Sequence, residues 1–130
     1  MLLAWFLSAG VSDVNDANRI DSAQLDESLW LIELHGEHDL STAEKLDAVL
    51  AEVAATGTTV VVDLSTTTFI DSTIVSRLVR FQQSGERVLL VTPHEPAIVR
   101  TVDMLGLAEL FPFFETQTAA LVEAQLECEI

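Results

Sequence analysis

Residues 58–64 read TTVVVDL and residues 87–91 read RVLLV. Neither run alternates apolar with polar positions, and both are rich in β-branched or aliphatic side chains. That pattern predicts strands buried on both faces, as inner strands of a parallel sheet are. Between them, Ser65 to Ile70 reads as a loop, and a helix follows from about Ser72 to Ser84. Ile74, Val75, Leu78, Val79 and Phe81 share its inward face, while Arg77, Arg80 and Gln83 point outward. Gly85 falls just past the helix, where a left-handed residue ends it. A strand–helix–strand unit closes with a right-handed crossover, so the two strands run parallel.

The same reading extends both ways from this unit. Leu29 to Leu34 (LWLIEL) is a strong strand ended by Gly36, and Ile20 to Gln24 is a weaker one. The turn-prone Asp26-Glu27-Ser28 between them predicts a hairpin. Ser41 and Glu44 have capping-box spacing, with Ser41 as the helix cap. Ala43, Leu46, Val49, Leu50, Val53 and Ala54 then recur at helical spacing as far as Gly57. Toward the C-terminus, Pro96 suits the first turn of a helix that carries Ile98, Val102 and Leu105 and ends at Gly106. Leu110 to Phe114 is a short apolar segment, and Thr116 to about Cys128 reads as a last helix. The order β-β-α-β-α-β-α-(short β)-α predicts an α/β protein: a small mixed sheet with central parallel strands, covered by helices.

With 130 residues the chain suits one domain. Asp and Glu number 21 and Lys and Arg 6, a formal net charge of −15. A phosphate backbone and an anionic membrane surface would both repel it, so direct nucleic-acid binding and charge-driven membrane docking are excluded. The acidity serves solubility, or suits a basic or neutral protein partner. Cys128 stands alone, which rules out an intrachain disulfide and fits a reducing compartment. His35 and His38 are three apart, a poor spacing for two ligands on one strand face, and no metal site is expected.

Met1 to Leu7 (MLLAWFL) is apolar but lacks the basic residues of a signal peptide and the length of a membrane span. Ser12 to Asn18 reads as a linker. Residues 1–18 are therefore expected to be a flexible extension and 19–130 the domain. The expected location is cytoplasmic, without membrane insertion.

In open sheets of this kind, sites gather where strand ends lead into helix N-termini. Asp71, directly before a helix, is expected to be its N-cap, with Ser72 at the first helical position and its hydroxyl near solvent. A nucleophilic Ser72 would need a histidine base, and His35 and His38 lie near the end of a strand that could neighbour this loop. Against catalysis, there is no Gly-x-Ser-x-Gly elbow, Ser72 being flanked by Asp71, Thr73 and Ile74, and no Gly-rich phosphate loop is present. The chain reads as a non-enzyme.

Four segments carry a family resemblance. They are Gly36-Glu37-His38-Asp39-Leu40-Ser41-Thr42-Ala43, Val60-Val61-Val62-Asp63-Leu64-Ser65, Phe69-Ile70-Asp71-Ser72-Thr73 and Leu105-Gly106-Leu107-Ala108-Glu109-Leu110-Phe111. In this order and spacing, from about residue 28 to 122, they resemble the STAS domain family, most closely the bacterial anti-sigma factor antagonists. The resemblance implies a single STAS domain in which Ser72 is phosphorylated by an anti-sigma factor that is also a serine kinase. A serine phosphatase reverses the modification, and the unphosphorylated form binds the anti-sigma factor. Asp39 and Asp71 match acidic positions flanking the partner surface; with Ser72 and Thr73 they form the implied partner-binding set. The resemblance implies no catalytic residue and no cofactor. Ile74 and Ser76 depart from the family pattern, which has glycines there, and β-branched bulk in the first turn would limit how closely a partner's backbone approaches. The family also includes cytoplasmic subunits of lipid-transporting ABC systems, which contact a permease without being phosphorylated. That is the alternative reading, and a Ser72-dependent hydrolase is a more distant third.

Overall fold

The structure is a computed structural model that describes residues 18–56 and 59–128. The apolar stretch Met1 to Leu7, most of the linker, Gly57 and Thr58 lie outside the described residues. Two strands, β1 (Arg19–Asp26) and β2 (Leu29–His38), form the expected antiparallel hairpin. Helix α1 (Leu40–Thr56) follows, then β3 (Thr59–Asp63), β4 (Thr67–Ile70) and α2 (Ser72–Gln83). The chain continues through β5 (Arg87–Val91), α3 (Pro96–Met104), the single turn α4 (Leu107–Leu110), β6 (Phe113–Phe114) and α5 (Gln117–Cys128). The sheet order is β1-β2-β3-β5-β6, and every pairing after the hairpin is parallel. The result is a mixed α/β sheet with parallel central strands, as the sequence predicts.

The valine run explains why β3 sits in the middle. Val60, Val61 and Val62 are wholly buried, paired to β2 on one side and β5 on the other. Val60 and Val62 face a core built with α1, α2, α3 and α4, through Leu46, Val53, Ile74, Leu78, Ile98 and Leu107 among others. Val61 faces the opposite way, with Leu31 and Leu89, against Ala120 and Ala124 of α5. Burying such a side chain contributes about 1.5–3 kcal/mol, so three at full burial anchor the sheet. Trp30 ties the hairpin to the far end of α1 by donating its indole N–H to Thr56 Oγ1 at 3.2 Å.

Three local expectations are corrected. The second strand runs past Gly36 to His38 rather than ending there. Gly36 adopts φ +85° where the register with β4 shifts, a conformation that suits glycine. The segment read as a loop contains β4: β3 pairs Leu29–Glu33 of β2, and β4 pairs Gly36–His38 further along. Leu105, expected within the third helix, is exposed just past its end, whereas Ile98 and Val102 are buried.

Candidate functional site

The register between β2 and β4 builds the site. His38 pairs with Ile70 in parallel, so the next residue of each strand, Asp39 and Asp71, emerges at the same edge. Neighbouring strands lie about 4.8 Å apart, and each of these is followed immediately by a helix. Two helix N-termini therefore open side by side, each with an aspartate at its mouth.

Asp71 caps α2 as expected. Its Oδ1 accepts the backbone N–H groups of Thr73 at 3.0 Å and Ile74 at 3.3 Å, from an extended backbone of φ −120° and ψ −179°. Ser72 is the first helical residue and is exposed; Thr73 is half-buried. At the neighbouring helix the cap is not Ser41. Asp39 Oδ1 accepts both the Ser41 N–H at 2.9 Å and the Ser41 hydroxyl at 2.6 Å, so the serine is the donor. A charged acceptor outcompetes a hydroxyl for an amide hydrogen, which is why the capping-box spacing misleads here. The hydrogen bonds from Ser41 hold the Asp39 carboxyl below its ordinary range.

His38 braces the underside of this edge. Its Nε2 lies 2.9 Å from the His35 carbonyl, which can only accept, so Nε2 carries the proton and Nδ1 faces the Thr42 hydroxyl at 3.1 Å. Burial holds the ring below the ordinary imidazole range. His35 Nδ1 is engaged 2.7 Å from Thr66 Oγ1. The contacts of the two rings are thus with His35, Thr42 and Thr66.

Two features of the rim escape a motif reading. Leu40 is 70% exposed and Phe69 45% exposed, one at the start of α1 and the other in β4. Two large apolar side chains beside polar caps form the kind of mixed surface that protein partners cover. The departure at Ile74 also reads differently in three dimensions. Its side chain is fully buried in the core and presents no bulk to the outside. Ser76 is exposed, with its hydroxyl folded back on the Thr73 carbonyl at 2.8 Å.

A family model described as "Mlab, STAS domain" matches residues 13–114. No curated protein matches the chain. Among solved structures, an anti-sigma factor antagonist from Mycobacterium paratuberculosis superposes with a TM-score of 0.69 at 24% identity, covering 88% of this chain and 99% of that one. The Bacillus cell fate determinant SpoIIAA, in its phosphorylated form, gives 0.60 at 19% identity, over 81% of this chain and 98% of that one. The murine anion transporter Slc26a9 gives 0.57 at 19% identity, over 80% of this chain but 19% of the transporter. At these identities the likeness establishes the fold. No helix among the described residues is long and apolar enough to cross a membrane.

Proposed function

The chain belongs to the STAS domain family, and from that premise we propose that it is an anti-sigma factor antagonist, a protein-binding module switched by phosphorylation of Ser72. One observation carries the reading: an exposed hydroxyl at the first position of α2, beside two capping aspartates and the exposed Leu40 and Phe69. The expected partners are an anti-sigma factor that doubles as serine kinase, and a serine phosphatase. Asp39, Asp71, Ser72 and Thr73 are the proposed contact residues. The burial of Ile74 supports the reading, because this departure from the family glycine leaves the rim accessible.

The physics of the switch follows from the position. A phosphoserine adds about −1.5 to −2 charges. At a helix N-terminus the positive end of the dipole, roughly half a charge, partly offsets it, and Ser72 is exposed to solvent. The domain therefore tolerates the modification. The interface does not, because charge and bulk arrive on a surface that already holds Asp39 and Asp71. A like-charge contact at 4 Å costs about 4 kcal/mol at an effective dielectric of 20. Even half of that weakens affinity more than tenfold.

The test is to purify the chain with its bound partner and incubate the complex with ATP. Mass spectrometry should find phosphate on Ser72. Ser72→Asp should bind at least about tenfold more weakly, and Ser72→Ala should bind and stay bound when ATP is added. Phosphate on Thr73 alone would move the site. A second reading is a non-phosphorylated cytoplasmic subunit of a lipid-transporting ABC system; part of an anion transporter shares the fold. Stable association with a permease and no phosphate on any residue would favour it over the switch.

A further inference from the structure

On the sheet face opposite α2, three carboxylates stand in a row across three adjacent strands. Asp21 of β1 pairs in register with Glu33 of β2, and Glu33 pairs with Asp63 of β3. Asp21 and Asp63 are buried. Like charges directly opposite in a ladder are destabilising, so the row needs compensation. Arg19 supplies one charge, with Nε 3.1 Å and 2.9 Å from the two Asp21 oxygens. Gln117, at the start of α5, donates its amide to Glu33 Oε2 at 2.9 Å and Asp63 Oδ2 at 2.7 Å, which satisfies oxygens but adds no charge.

His35 completes the cluster. The same register places it beside Arg19 and diagonal to Asp21. Its Nε2 atom is buried, has no hydrogen-bond partner, and lies 3.3 Å from Asp21 Oδ2 and 3.8 Å from Glu33 Oε1. The three candidate donor atoms lie within 4.8 Å of one another. We propose that Asp21, Glu33 and His35 form a binding site for a divalent transition-metal cation of the zinc class, at the junction of β1, β2 and α5.

The donor set and its supports both fit. Zinc binds imidazole nitrogen and carboxylate oxygen at about 2.0–2.2 Å, which sets tetrahedral donor–donor edges at roughly 3.3–3.6 Å. The two measured edges from His35 Nε2 need little or no contraction to reach that range. Each ligand is also contacted by a side chain that is not a ligand. With Nδ1–H donating to Thr66 Oγ1, 2.7 Å away, the Nε2 lone pair of His35 faces the carboxylates and is free for a metal. Gln117 holds Glu33 through Oε2 and leaves Oε1 facing His35, and Arg19 Nε contacts both Asp21 oxygens, Oδ2 included. Three protein ligands leave the fourth position to water. The site lies on the sheet face opposite α2, and the His35 carbonyl accepts the His38 ring N–H that braces the Asp39 edge.

Isothermal titration of the full chain with zinc chloride should show one saturable equivalent. Histidine-selective 15N NMR on the unaltered protein should place the shift on the Nε2 of His35. His35→Gln and Glu33→Gln should each weaken binding at least about tenfold. Cys128→Ser and His94→Gln should leave it unchanged. Absence of saturable binding would overturn the site. So would zinc shifts on His94 or on the thiol with His35 silent, or full affinity in both His35→Gln and Glu33→Gln.

Discussion

Both ring nitrogens of His38 are engaged inside the fold, one on the His35 carbonyl and one on the Thr42 hydroxyl, so a protonated ring would have a donor where it now has an acceptor. Burial lowers its pKa from the ordinary value of about 6.5. The sign of the linkage follows. As pH falls through 6.5 the unfolded chain takes up a proton that the folded chain refuses, so stability is lost toward acid. His38→Gln removes that term. The stability advantage of the parent over His38→Gln, measured by urea unfolding, should shrink between pH 7 and pH 5. A constant gap would show that His38 does not carry the effect. At this scale the sequence was legible where one residue and its immediate neighbours decide the outcome. Asp71 before an apolar-periodic run is a cap on any reading, and Ser72 follows as the first helical residue. It was not legible where partners arrive from other strands. Nothing local distinguishes Asp21, Glu33 and His35, because the hairpin register alone brings them together.

At the scale of elements, legibility tracked how much of a segment's stability is its own. Strands β3 and β5 announce themselves through runs of consecutive buried apolar side chains, Val60 to Val62 and Val88 to Val91, and α2 because a cap precedes a 3.6-residue apolar period. Strand β4 does not. Thr67 and Ile70 are buried while Thr68 and Phe69 are exposed, a pattern with no period of two. It is a strand because the tail of β2 offers it a ladder, and because Thr67 donates its hydroxyl to the Leu34 carbonyl at 2.8 Å. The single-turn α4 is equally borrowed, anchored through Leu107 in the main core. The contrast yields a prediction for the central strand. Val61 is fully enclosed among apolar side chains, between Leu31, Leu89 and α5. Val61→Asp should cost on the order of 3 kcal/mol or more, the burial of an unpaired carboxylate. Chemical denaturation that found the variant within about 0.5 kcal/mol of the parent would remove β3 from the centre of the sheet.

For the whole molecule, charge sets the balance. With 21 acidic and 6 basic side chains, at least 21 − 6 = 15 acids can have no basic partner of their own. The attractive pairs that the structure does hold, such as Arg19 with Asp21 and Arg77 with Asp47 at 3.1 Å, lie at close range. Repulsion among the remaining carboxylates acts over longer distances, and screening by salt falls hardest on long-range terms. The Debye length drops from about 30 Å at 0.01 M to about 10 Å at 0.1 M and 3 Å at 1 M. Adding salt should therefore remove more repulsion than attraction and stabilise the fold, since compaction brings the carboxylates together. A gain of about 1 kcal/mol corresponds to a rise in Tm of roughly 3–6 °C for a domain of this size. Thermal unfolding in 0.01 M and 0.5 M sodium chloride at pH 7 measures it. Chloride is the suitable anion, because sulfate would also strengthen apolar burial and confuse the source of the gain. Replacing three exposed glutamates, Glu44, Glu52 and Glu109, by glutamine should reduce the salt-induced rise, because each removes a repelling charge without touching the core. A Tm that falls with salt would mean that the few ion pairs, rather than the surplus of acid, dominate the electrostatics of the fold.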